Sequence, residues 1–197
     1  MNLKEYNSLF FEPKKFFVKA NKEKDYLRPL VFYAMIFLAY YLLDFLLGLI
    51  FNIKLAASNL EIVAGLIFFL LNCVVVWSLP FVQGAAGHMG LLVFGSKQSY
   101  FKSFKSIGYS TTVIVPYLSL ASVVFGLPSI ILGFYYTSVF LEALVLGIII
   151  IGLIHTLYVL VIGTSMLHKL TKQRSLLGLL LLPLILGLAL IIAFSLL

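Results

Sequence analysis

The sequence predicts an all-α protein: a polytopic membrane helical bundle of five transmembrane helices, with a short N-terminal amphipathic helix at the membrane interface. Three observations predict it. First, 62% of the 197 residues are hydrophobic and 11% are charged, against about 45–50% and about 25% in soluble domains. A water-soluble fold of this length cannot hide so much apolar surface, so the solvent is lipid. Second, apolar stretches recur that reach the roughly 20 residues needed to cross about 30 Å of hydrocarbon. Third, thirteen of the fourteen Lys and Arg residues fall in three short segments that alternate with those stretches.

The elements follow in order. Residues 1–28 form a cytoplasmic segment of their own. Pro13 suits the first turn of a helix. Lys15, Lys19 and Lys22 then recur at helical spacing as a basic stripe, with Lys14 beside them. Phe16, Phe17 and Ala20 share another face, preceded by Phe10 and Phe11. This is the pattern of a helix lying on an anionic leaflet; a disordered basic lead-in is the plainer alternative. Residues 29–197 form the membrane domain, with spans at about 29–51, 62–94, 107–133, 139–167 and 175–197. The second span is long, and Pro80 offers it a place to bend. A re-entrant third segment or a divided second one would change the count.

Charge orients the spans. The N-terminal segment carries seven Lys and Arg residues, and the successive loops carry Lys54 alone, then three, none and three. Short basic loops stay inside. The reading is therefore a multi-pass cell-membrane protein with a cytoplasmic N-terminus and an extracytoplasmic C-terminus. Its inner face gathers Lys14, Lys15, Lys19, Lys22, Lys97, Lys102, Lys105, Lys169, Lys172 and Arg174. The net charge of +7 does not indicate nucleic acid, because these residues flank apolar spans. Their natural partners are the bilayer's anionic inner-leaflet lipids, worth about 1 kcal/mol per basic residue. A protein docking on that face and a second copy of the chain are further candidate partners. No cleavable signal peptide is read: the first span follows a charged segment containing Glu5, Glu12, Glu23 and Asp25.

Polar groups inside spans are costly and mark candidate sites. They are Asp44, Asn72, His88, Glu142 and His155. As a functional cluster, Asp44, Asn72, Glu142 and His155 would relay protons or hold a cation in the outer half of the bundle, with His88 toward the inner end. The structural alternative is that they satisfy one another between helices, with Glu142 reaching the outer interface. No catalytic, cofactor or metal set is read. Cys73 is the only cysteine, no two histidines have metal-ligand spacing, and G-x-S-x-G, P-loop and G-x-G-x-x-G motifs are missing. Hydroxyls in spans, such as Ser119, Ser122 and Thr164, read as bonded to their own helix. The run Gly84-Ala85-Ala86-Gly87-His88-Met89-Gly90 lets helices approach closely, with a gating element as the sharper alternative. Tyr26, Tyr100, Phe101, Tyr109, Tyr135 and Tyr136 read as interfacial aromatics.

Four motifs taken together resemble a known family. They are Phe11-Glu12-Pro13-Lys14-Lys15-Phe16-Phe17, Arg28-Pro29-Leu30, the small-residue run ending in His88 before Leu91-Leu92-Val93-Phe94-Gly95, and Tyr100-Phe101 through Gly108-Tyr109-Ser110 to Pro116. In this order they resemble the Yip1 family of five-span membrane proteins, in its shorter prokaryotic form. The family often has two glycines after span two, whereas Ser96 follows Gly95 here. Of the D-L-Y-G-P signature of eukaryotic members, Asp25 and Pro29 fit, and Arg28 replaces the glycine. The resemblance implies a non-catalytic membrane scaffold or adaptor that binds partners or organises the membrane at its cytoplasmic face. The alternative is a small-solute, ion or proton transporter or channel component using Asp44, His155 and His88.

Overall fold

A computed structural model describes residues 3–54, 59–132, 138–181 and 185. Among them no strand occurs. The helices are α1 (Leu3–Phe11), α2 (Pro13–Ala20), α3 (Leu27–Lys54), α4 (Asn59–Val93), α5 (Tyr100–Thr111), α6 (Val115–Leu132) and α7 (Val139–His168), with one 3-10 turn at Thr112–Ile114. Residues 172–181 are also helical and are called α8.

Four stretches are long and apolar enough to cross a membrane: Leu27–Ile50, Ile62–Val93, Tyr100–Leu132 and Val139–His168. Protein buries 6% of the most apolar window of the second and 17% of each of the others. Their remaining surface of Leu, Ile, Val and Phe needs lipid against it. The fifth span read at 175–197 lies largely outside the described residues, as do Tyr135 and Tyr136.

Two proline effects shape the spans. Pro116 has no N–H to return to the Thr112 carbonyl, so the chain tightens there and Val115 N–H bonds Thr112 O instead. The helix thus begins at Tyr100 rather than near 107, and the basic loop read at 95–106 is a short turn leading into α5. Phe101, Phe104 and Ile107 recur at helical spacing, a pattern that the lysines between them obscure. Pro80, by contrast, lies inside an unbroken 35-residue helix.

The chain divides into two compact units. The first comprises residues 1–29, 79–110 and 158–197. Its core includes Leu91, Ile107 and Leu179, with Leu160, Val161 and Leu170 packed against them. Small residues set its spacing. A Cβ at Gly90 would collide with the backbone carbonyl of Gly178, one at Gly87 with Ile107, and one at Gly163 with the Phe17 ring. The run around Gly84–Gly90 is therefore a packing surface for neighbouring helices. Helix α4 ends with Gly95 at φ +88°. Ser96 N–H bonds Leu91 O at 3.0 Å and Gly95 N–H bonds Leu92 O at 3.0 Å, the paired bonds that close a helix through a left-handed residue. One glycine suffices for this turn.

The second unit comprises residues 30–78 and 111–157. Phe45 packs on Phe69 at 5.0 Å between ring centres. Gly152 gives room to Tyr117, whose Cβ lies 2.7 Å from where a glycine Cβ would stand. Gly48 and Gly65 differ, since nothing lies within 4 Å of an added Cβ at either.

This contrast predicts two opposite results. Gly90→Ala forces backbone apart and lowers stability by about 1–3 kcal/mol. Gly48→Ala gains helix propensity and raises it by about 0.5–1 kcal/mol. Thermal unfolding of the detergent-solubilised protein, read by retained monodisperse fraction, distinguishes the two.

Candidate functional site

The first unit is held by polar groups that its apolar core does not require. Lys105 is 1% exposed. Its ammonium donates to the carbonyls of Ala20 at 2.7 Å and Glu23 at 3.1 Å, and lies 4.6 Å from the centre of the Phe101 ring. Those carbonyls belong to the end of α2 and the turn after it, where a cation is favoured; Ala20 O also accepts Glu23 N–H at 3.1 Å. The Glu23 carboxylate then accepts from Tyr109 Oη at 2.8 Å and pairs with Arg28 Nε at 3.3 Å. Arg28 also donates to Glu5 at 2.6 Å. Burial pushes the Glu23 carboxyl above its ordinary range, opposed by the Tyr109 hydroxyl, Arg28 and Lys105.

These bonds fix the N-terminal segment. Phe17, Phe16 and Ala20 on α2 are 0%, 8% and 2% exposed, and Phe16 meets Tyr109 edge-on at 4.9 Å. The apolar face read from sequence as lying on lipid is covered by protein. Phe11, Val18, Tyr26 and Leu27 are exposed apolar side chains of this segment. Lys105 is likewise corrected. It points inward and is absent from the exposed basic set, whereas Lys14, Lys15, Lys19, Lys22, Lys97, Lys169, Lys172 and Arg174 are exposed and Lys102 is half-buried. Tyr109, read as interfacial, is buried at 1% exposure, whereas Tyr26 stays exposed and packs one side of its ring on protein. Tyr26 packs on Phe101 at 4.5 Å and on Phe104 at 5.1 Å.

A second polar chain joins the ends of α4 and α7. Ser103 Oγ lies 2.9 Å from His88 Nδ1 and 3.0 Å from His168 Nε2. His168 Nδ1 lies 2.7 Å from Ser96 Oγ, which also accepts from Gln98 N–H at 3.2 Å. One hydroxyl between two imidazoles donates to one and accepts from the other, so the chain has two internally consistent polarities. It can pass a proton along itself. Ser103 is fully buried and its hydrogen-bonding positions are taken by the two rings, so a substrate has no approach to it.

The polar residues of the second unit do not form a single cluster. Asn72 donates to Phe68 O of its own helix at 2.9 Å. His155 Nδ1 lies 2.9 Å from Tyr117 Oη. Asp44 accepts from Ser122 at 3.1 Å, so this hydroxyl, read as bonded to its own helix, reaches across to α3. Glu142 is exposed. Asp44 and Asn72 do line one cavity of about 350 Å³ with Tyr40, Tyr41 and Phe69, and His155 is not part of its wall. Among the described residues no three His, Cys, Asp or Glu side chains converge as metal ligands.

Residues 7–194 match the family model of the Yip1 domain. The chain belongs to the Yip1 family. No curated protein and no solved structure matches it. Membership and the four apolar helices make it a membrane protein. The family motifs now have physical meanings in this Yip1 domain. Phe16 and Phe17 are the buried face of α2, Gly95 closes α4, and Tyr109 holds Glu23. His168 and Ser103, which sequence reasoning passed over, are as central as His88. The adjacent lysines hid them, because both stand in segments that read as solvated loops.

Two outcomes follow for the first unit. Lys105→Met takes the ammonium from the Glu23 carbonyl and leaves the Ala20 carbonyl with the Glu23 N–H alone, lowers stability by about 1–3 kcal/mol, and makes residues 1–28 the first site of limited proteolysis. Because the folded Glu23 pKa is raised above the unfolded one, its contribution is fully present below the unfolded value. That contribution is lost as pH rises through the folded value. A carboxyl-carbon NMR titration gives a Glu23 midpoint above that of an ordinary glutamate, and Glu23→Gln removes that step of the stability profile.

Proposed function

We propose that this Yip1-family protein is a non-catalytic membrane scaffold that presents a basic docking face at the cytoplasmic side. The observation that carries the reading is the shared location of the exposed lysines and arginine. Lys14, Lys15, Lys19, Lys22, Lys97, Lys169, Lys172 and Arg174 all belong to the first unit. Lys105 and Glu23 tie the N-terminal segment to α5, so its lysines sit on a fixed surface rather than on a loose tail. A pre-formed cationic surface suits an acidic protein partner, because little ordering entropy is lost on docking. The same charges support a cytoplasmic N-terminus by the positive-inside rule. With a fifth span at 175–197, the C-terminus lies on the opposite side.

A second reading, transport of a small solute, is favoured by the Asp44 cavity. The separate placement of His155 and His88 outside its wall weakens the proton-relay form of that reading. Liposomes holding the protein would show flux that Asp44→Asn abolishes; equal leakage with and without protein excludes transport.

The scaffold reading makes a topological and a binding prediction. In a Cys73→Ser background, single cysteines at Lys15, Lys97 and Lys172 react with an impermeant maleimide from the cytoplasmic side alone. Labelling of any one from the opposite side overturns the common face. Photocrosslinkers at Lys97 and Lys172 capture the same partner, and the combined variant Lys19→Glu, Lys172→Glu and Arg174→Glu removes both adducts. Adducts that are unchanged in that variant overturn the docking role.

A further inference from the structure

The cavity in the second unit has a chemistry of its own. Asp44 lies within the span Leu27–Ile50, where an uncompensated carboxylate is expensive. The ion pairs among the described residues join Lys15 to Glu12 and Arg28 to Glu5 and Glu23, so none of them neutralises Asp44. Its one hydrogen-bond donor among the described residues is Ser122. The surrounding unit is poor in compensating charge: Lys54 is its single Lys or Arg, against Asp44, Glu61 and Glu142.

Beside this carboxylate is space of about 350 Å³, within the range of small-molecule sites. It is far larger than a bare metal ion requires. Tyr40, Tyr41, Phe45, Phe68 and Phe69 supply its aromatic walls. Gly48 on α3 and Gly65 on α4 both border it and keep it open, since an added Cβ at either meets nothing within 4 Å. Aromatic faces attract cations that carry an apolar shell, and a carboxylate completes the counter-charge.

We propose that this cavity binds an organic ammonium ion, with Asp44 as its counter-ion and the tyrosine and phenylalanine rings around its alkyl groups. The ligand class is a substituted amine, presented either by a free amphipathic molecule or by the headgroup of an amine-bearing lipid. Binding removes the cost of the uncompensated carboxylate and buries the aromatic faces together. The proposal is independent of the basic docking face, which lies in the other unit.

The test uses the full chain in phosphatidylglycerol nanodiscs, which contain no ammonium lipid, and labelled benzyltrimethylammonium as the probe. Wild type binds it saturably, and neopentylbenzene, its uncharged isostere, does not compete. Asp44→Asn weakens binding by about tenfold or more, the scale of a desolvated ion–aromatic site. Gly65→Leu puts bulk into the cavity from a position where an added Cβ meets nothing within 4 Å; it retains the fold by size-exclusion and thermal criteria and abolishes binding. Glu142→Gln, which removes an exposed carboxylate of the same unit, leaves it unchanged. Replacing part of the lipid with phosphatidylethanolamine separates the two sources. Competition assigns the site to a lipid headgroup, and unchanged affinity assigns it to a free amine. Absence of saturable binding, competition by the uncharged isostere, or wild-type affinity in either Asp44→Asn or Gly65→Leu overturns the proposal.

Discussion

The first unit depends on the burial of one ammonium group. Lys105 is shut away from water, and among the described residues no side-chain carboxylate forms an ion pair with it. It spends its donors on the carbonyls of Ala20 and Glu23 and rests its charge over Phe101. A buried cation is tolerated only when such partners replace its hydration. Here they are backbone atoms, so the cation specifies where the main chain goes. Helix α2 must end where Lys105 can reach it. That position puts Phe16 on Tyr109 and Phe17 in the space left by Gly163, and it brings the Glu23 carboxylate to Tyr109 and Arg28.

The histidine–serine chain does the same for a second junction. The ends of α4 and α7 both close through left-handed residues, Gly95 at φ +88° and Lys169 at φ +56°. Lys169 carries the strain that a glycine would avoid. What holds both turns is the link from Ser96 through His168 and Ser103 to His88. The chain contains no carboxylate, so nothing in it fixes an imidazolium or sharpens a nucleophile as catalytic triads do. A buried, mutually satisfied set of this kind chooses one arrangement of two helix ends. Most residues of the family-like motifs fall in this unit, where Phe16, Phe17, Gly95 and Tyr109 supply its internal contacts and turns.

Much of the fold was legible because hydropathy and charge act over whole segments. Four of the expected spans appear as apolar helices with boundaries close to those read from the sequence, apart from the early start at Tyr100. Individual side chains were harder. A charge count treats Lys102 and Lys105 alike, yet only Lys105 falls on the face shared with Phe101 and Phe104. His168 was passed over because it precedes Lys169, in what reads as a solvated loop. Asp44 was conspicuous as a carboxylate within a span, and Asn72 as its neighbour. The cavity between them was not, because the space beside Gly48 and Gly65 depends on which helices meet there. Ser122 was likewise indistinguishable from Ser119 until α3 and α6 gave it an acceptor.

Lys105 and Asp44 are opposite answers to the same physical problem. Each is a charged type of side chain in a chain that is mostly apolar. Lys105 is enclosed and its donors are met internally, so it contributes a fixed geometry and has nothing left to offer a ligand. Asp44 is exposed at a cavity and receives one hydroxyl, so its remaining acceptor capacity is directed outward. In water that difference would matter little, because solvent would complete both shells. Within a span the difference persists: a satisfied group acts as a lock, and one with acceptor capacity left is the kind of group that can stabilise a cation. Such a division leaves the first unit fixed by internal partners and the second with an open cavity.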